Sequence, residues 1–128
     1  MSTIAIIDDD ADSRLLVRAV LGGEYELADY GSAEQAALEL ELLAPDLVLL
    51  DMALPGADGF ALLEWLRRAP GLRHVPVIAF TAAAAHGGEA RWVRAGFDAC
   101  VPKPLIDETR LLAAIRHLLG RRATSLKS

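Results

Sequence analysis

Five side chains in this sequence, Asp8, Asp9, Asp51, Thr81 and Lys103, are of the types that phosphoryl chemistry uses, and each lies at or just past the end of a short apolar run. Thr3 to Ile7 ends in the acids Asp8, Asp9 and Asp10; Leu47 to Leu50 ends in Asp51; Val75 to Phe80 ends in Thr81; Ala99 to Val101 leads through Pro102 to Lys103. Clustered carboxylates repel one another unless a cation joins them, and an all-oxygen set with room for water suits Mg²⁺ better than a transition metal. A carboxylate beside such an ion can attack phosphorus, while an ammonium and a hydroxyl take up charge on the phosphoryl oxygens. All of this requires the four runs to end in one place.

A parallel sheet would bring them there. Leu47 to Leu50 is apolar at every position rather than at every second one, which marks a strand buried on both faces, as at the centre of a parallel α/β sheet. A carboxylate is costly to bury, so Asp51 is expected where that strand emerges, in the crevice beyond the carboxyl ends of the strands where open α/β sheets bind ligands. Thr3 to Ile7 (TIAII) and Val75 to Phe80 (VPVIAF) read as further buried strands, Tyr25 to Tyr30 alternates in polarity as an edge strand does, and Ala99 to Val101 is a short fifth strand.

Helices are expected between them. From about Asp12 to Leu21 the residues Leu15, Leu16, Ala19 and Val20 share a face, and Gly22-Gly23 supplies the stop. Ser32 reads as an N-cap with Gln35 completing a capping box, ahead of a stripe of Ala33, Ala36, Ala37 and Leu40 that Pro45 closes. Phe60 to Arg68 turns Leu62, Leu63 and Leu66 inward, and Glu89 to Ala95 is stopped by Gly96. From the N-cap Asp107 the stripe Leu111, Leu112, Ile115, Leu118 and Leu119 runs to Gly120, which is expected to end the helix. Five strands alternating with five helices make an α/β, (βα)5 doubly wound five-stranded parallel sheet with right-handed crossovers, spanning 1–120, with 121–128 as a short polar tail.

At 128 residues the chain can bury a core without staples, and its single cysteine, Cys100, excludes an internal disulfide framework. A net charge of −5 argues against nucleic acid as the main partner, and the pair Arg121-Arg122 is expected to complement the dipole of the last helix. The apolar runs are far short of the ~20 residues a membrane span needs, and no basic segment leads into an apolar stretch at the N-terminus, so a cytoplasmic protein is expected. His74, His86 and His117 show no metal-ligand spacing.

Through IIDDD, LLDMALPGADG, FTA and VPKP the chain resembles, over essentially its whole length, a stand-alone response-regulator receiver domain of two-component signalling. The resemblance implies a flavodoxin-like, CheY-like fold with strand order 2-1-3-4-5. It implies that Asp51 accepts a phosphoryl group from phosphohistidine on a sensor histidine kinase or a histidine phosphotransfer protein. Asp9 would bind Mg²⁺ directly and Asp8 through water, with Asp51 and the backbone carbonyl of Ala53 as further ligands. Thr81 would bond a phosphoryl oxygen and move the loop after the fourth strand; Lys103 would pair with the phosphoryl group, and the Lys103-Pro104 bond is usually cis in this family. Such a domain is not an enzyme turning over small substrates, and catalyses only its own phosphorylation and dephosphorylation. Its signal would leave through the face of the fourth helix, fifth strand and fifth helix to a downstream protein target. Met1 and the short tail suit a whole protein better than a piece of a hybrid kinase.

The sequence departs from the family where an aromatic residue usually precedes the lysine by three positions, a place held here by Cys100. A cysteine in a short strand is expected to be a small buried hydrophobe, so output is assigned to the segment from Ala82 to Gly88 and the helix after it. Trp92 and Arg91 lie on that helix, at least one of them should be exposed, and an exposed Trp92 would be a candidate partner contact. Ala53 and Ala83, which flank the phosphoryl group in this family, offer nothing that would obstruct an attacking water. Two other readings remain: a pseudo-receiver that binds partners without phosphorylation, and an aspartyl phosphatase, which would need a second acid where Ala53 stands.

Overall fold

The computed structural model describes residues 1–52, 59–82, 88–103, 105 and 107–127. Along the chain run β1 (Thr3–Ile7), α1 (Ala11–Leu21), β2 (Glu26–Tyr30), α2 (Ala33–Leu43), β3 (Leu47–Leu50), α3 (Gly59–Arg68), β4 (Val77–Thr81), α4 (Gly88–Ala95), β5 (Ala99–Pro102) and α5 (Glu108–Lys127). All pairings are parallel and the order is β2-β1-β3-β4-β5, the order that the resemblance implies.

The uninterrupted apolar runs become the inner strands because only there are both faces covered: β3 and β4 are buried at every position, whereas β2 at the edge is buried only at Tyr30. One face of the sheet packs against α2, α3 and α4 through Ala36, Leu40, Leu62, Leu66, Trp92 and Phe97. The other packs against α1 and α5 through Val17, Leu21, Leu111, Ile115 and Leu118.

The caps expected at Ser32 and Asp107 are present, and Asp10 caps α1 as well. Asp10 accepts from the Asp12 amide, Ser32 from the Gln35 amide, and Asp107 from the Thr109 amide. The Gln35 side chain reaches back to the Gly31 amide, one residue before the N-cap. Gly96, at φ 115°, ends α4 in a conformation that side-chain-bearing residues avoid.

Four expectations are corrected. On α1 the inward residues are Val17 and Leu21 with Val20 partly packed, while Leu15 and Leu16 are exposed. Apolar residues surround that helix, so periodicity alone does not fix its rotation; Arg14 and Arg18, one turn apart, do so by both reaching Asp29 on β2. Ala37 lies outside the α2 stripe and is exposed. β4 starts at Val77, with Val75 and Pro76 buried ahead of it, since proline has no amide to donate to a ladder. Finally, α5 passes through Gly120 to Lys127, so Arg121 and Arg122 lie within the helix and not beyond it. One glycine costs a helix only about 1 kcal/mol, which the flanking helix formers Leu119, Arg121 and Arg122 outweigh.

Candidate functional site

The ends of the strands are tied together by the backbone before any side chain is considered. The Asp8 amide donates to the Tyr30 carbonyl at 3.0 Å, the Asp51 amide to the Ile7 carbonyl at 2.9 Å, and the Lys103 amide to the Thr81 carbonyl at 3.2 Å. Ile7 pairs with Leu50, so the residues that follow, Asp8 and Asp51, leave the sheet side by side. Thr81 pairs with Pro102, which puts Lys103 immediately beyond it.

The side chains then converge. Carboxylate oxygens of Asp8, Asp9 and Asp51 all lie within 4.8 Å of one another. Lys103 Nζ sits 2.5 Å from Asp8 Oδ2 and 3.1 Å from Asp51 Oδ2, and 5.3 Å above the Phe80 ring. Asp8 and Asp51 are buried, at 2% and 6% exposure, Thr81 is buried with them, and Asp9 is exposed. Asp8 also accepts from the Asp10 amide, which fixes the turn into α1.

Burial raises the Asp8 carboxyl above the ordinary carboxylate range, although the hydrogen bond from Lys103 opposes the shift. Burial also works against charge on Lys103, but the Asp8 and Asp51 carboxylates outweigh it and hold the ammonium above its usual value. Two buried carboxylates therefore share one cation. With Asp9 included, three carboxylates against one ammonium leave an excess of two negative charges. An oxygen-only site with that excess and one exposed member fits a hard dication such as Mg²⁺.

Asp8, Asp9, Asp51 and Lys103 are thus brought together, and Thr81 lies at the end of β4 beside Lys103, its carbonyl accepting from the Lys103 amide. The Ala53 carbonyl, Ala83, Pro104 and most of the segment from Ala82 to Gly88 lie outside the described residues; Ala82 itself is exposed. Cys100 is buried against the same core face as Trp92 and Phe97. Trp92 is not a surface contact: it is 2% exposed, stacked at 5.8 Å on Phe60 and edge-on to Phe97 at 5.9 Å. The exposed member of the pair is Arg91, with its guanidinium 5.3 Å from the Trp92 ring centroid. His74 and His117 are exposed.

Sequence reasoning missed two supports. Arg14 donates to the Asp8 carbonyl at 2.5 Å, so the ion pair that orients α1 also holds the acidic turn. The spacing of Arg14 and Arg18, with Asp29 near the end of the neighbouring strand, carried that signal. Gly59, at the start of α3, packs so closely on Met52 that a Cβ would fall 2.6 Å from its Sδ and 2.9 Å from its Cα. Nothing in the local sequence announces that contact.

A family model for the response regulator receiver domain matches residues 4–116. The polar-differentiation response regulator DivK of Brucella ovis is 33% identical over 119 residues, covering 93% of this chain and 96% of DivK. The response regulator PleD of Caulobacter vibrioides is 33% identical over 116 residues, but this chain spans only 25% of PleD's length. Among solved structures, the receiver domain of a sensor histidine kinase from Pseudomonas aeruginosa, with a magnesium ion coordinated in its active-site cleft, superposes with a TM-score of 0.82. It is 26% identical, and the match covers 93% of this chain and 98% of that one.

Proposed function

This chain belongs to the response regulator receiver domain family, and from that premise we propose that it is a phosphoacceptor in two-component signalling, with Asp51 as the accepting residue. The observation that carries the proposal is the Lys103 ammonium held between Asp8 and Asp51 at the ends of β1 and β3. It puts a cation beside the one buried carboxylate that ends the central strand.

In this reading an Asp51 carboxylate oxygen attacks phosphorus, an oxygen–phosphorus bond forms, and the nitrogen–phosphorus bond to the donor imidazole breaks. Lys103 turns from Asp51 toward the incoming phosphoryl oxygens, a short movement because its Nζ is already 3.1 Å away. Thr81, buried at the end of β4, donates its hydroxyl to another of those oxygens. Mg²⁺ held by Asp8, Asp9 and Asp51 would neutralise part of the phosphoryl charge. The donors are a sensor histidine kinase or a histidine phosphotransfer protein, encountered in the cytoplasm, and a downstream protein target reads the outcome. The chain turns over no small substrate. The phosphoryl group brings about two negative charges while the Asp51 carboxylate loses its own, and this net change of about −1, with its move outward onto phosphoryl oxygens, is the input to the switch.

The test is the intact mass of the protein after incubation with acetyl phosphate, with and without Mg²⁺. An increment of one phosphoryl group, dependent on Mg²⁺ and absent in Asp51→Asn, is expected. No increment in a folded protein would favour a binding module that works without phosphorylation.

A further inference from the structure

The α2–α3–α4 side of the sheet carries two surface features that the phosphoryl site leaves unused. The first is on α2. Its core-facing stripe is Ala33, Ala36 and Leu40, yet Leu38 and Leu42, one turn apart on the opposite side of the helix, are 81% and 91% exposed. Exposed Glu34 and Glu41 flank them on one side and Glu39 on the other, and the helix has no basic residue. Glu39 and Glu41 also sit near the helix C-terminus, where the dipole disfavours anions. An apolar ridge between acids, with no cation of its own, asks for a basic and apolar counterpart.

The second feature is that counterpart, on α4. With Trp92 turned into the core, the outward residues are Ala90, Val93 and Arg94, with Arg91 beside them, and all four are exposed. Two of the three charged residues on α4 are arginines, Arg91 and Arg94, and both are exposed.

We propose that two copies of this chain pair through the α2–α3–α4 face, about a two-fold axis running along the helices. The three helices pack on one face of the sheet and follow parallel strands, so they run side by side in the same direction, with α3 in the middle. Two dyads could stack such a face on itself. A dyad across the helices sets α2 against α2 and brings the glutamates together. A dyad along the helices sets α2 of each copy against α4 of the other, so Leu38 and Leu42 meet Ala90 and Val93 while the glutamates meet Arg91 and Arg94. The charges of α2 and α4 select the second, with α3 at the axis, where the exposed Glu64 and Arg68 pair with each other within each copy at 2.6 Å. The contact is isologous and closes at two copies. It lies on the opposite side of the sheet from α5 and does not rest on phosphoryl acceptance.

Sedimentation equilibrium of the whole chain, without phosphodonor, tests this. A monomer–dimer equilibrium with a dissociation constant of about 10–100 μM is expected, weaker at high salt. Glu39→Arg/Glu41→Arg and Arg91→Glu/Arg94→Glu should each be monomeric, and an equal mixture of the two should regain the dimer. The glutamate reversals suit the helix C-terminus, so circular dichroism should show them folded. Leu38→Ser/Leu42→Ser, on a fully exposed ridge, should raise the dissociation constant more than about tenfold. A wild-type monomer throughout, a dimer indifferent to both reversals, or a mixture that fails to pair would each overturn the proposal.

Discussion

Lys103 Nζ lies 3.1 Å from Asp51 Oδ2, although 52 residues separate the two in the chain. The same nitrogen is 2.5 Å from Asp8 Oδ2, so one ammonium serves two buried carboxylates. Replacing it with a neutral side chain of similar length uncouples its two effects. Lys103→Met should slow phosphorylation of Asp51 by acetyl phosphate about 100-fold, the scale of losing one preorganised charge partner at a reacting group. It should also tighten Mg²⁺ binding about tenfold, since a cation competing for the same carboxylates has gone. Calorimetric Mg²⁺ titration and a phosphorylation time course measure the two. Unchanged Mg²⁺ affinity would mean that Lys103 and the metal do not compete.

The convergence of Asp8, Asp51 and Lys103, and the place of Thr81 at the end of β4, were legible in the sequence because strand ends are: an apolar run buried on both faces must stop where a charge begins. Buried α3 and α5 stripes were legible for a related reason, since Leu62, Leu63 and Leu66 or Leu111, Ile115 and Leu118 recur at helical spacing with polar residues between them. The rotation of α1 was not, because its apolar residues surround the helix and a long-range ion pair makes the choice. Trp92 was ambiguous for the same reason: a helix of eight residues has too few turns for periodicity to say which side the large aromatic takes. Its contacts with Phe60 and Phe97 decide it, and among the described residues they leave the indole nitrogen buried without a hydrogen-bond partner.

Asp29 should give the α1 orientation a pH signature. Its carboxyl is held below the ordinary value, chiefly by the hydrogen bond from Arg18 and with help from Arg14. A depressed carboxyl contributes stability that is fully present above its unfolded value near 3.9 and is lost as pH falls through the lower folded value. Asp29→Asn should therefore cost about 1 kcal/mol at pH 7, a modest figure because the partners are partly solvated. The difference from wild type should shrink below about pH 4 and vanish once Asp29 is protonated in both states. Urea melts at neutral and acid pH would show this; a gap that persists unchanged in acid would assign the loss to packing instead.

The approach of Gly59 to Met52 ties the start of α3 to the residue after Asp51, the proposed phosphoacceptor. In Gly59→Ala the new Cβ would stand 2.6 Å from the Met52 Sδ, which can swing away, and 2.9 Å from its Cα, which cannot move without moving Asp51. A loss of about 1–3 kcal/mol is expected, with slower phosphorylation of Asp51. Adding Met52→Ala removes the sulfur and leaves the Cα, so the double variant should recover only part of the loss. Full recovery of both stability and phosphorylation would show that the side chain alone was the obstacle.

The passage of α5 through Gly120 separates the folded chain from what its sequence suggests, and one substitution decides between them. If the helix stopped at Gly120, that residue would be expected in the left-handed region, and a methyl group there would be strained. The structure puts it inside the helix, outside the set of positive-φ glycines, with nothing among the described residues within 4 Å of a Cβ. Alanine then adds no clash and removes the conformational freedom that the unfolded chain would otherwise keep. Gly120→Ala should stabilise the protein by about 0.5–1 kcal/mol and slow amide exchange over the last turns of α5. A destabilised variant, with exchange beyond position 120 as fast as in an open chain, would return the helix end to Gly120.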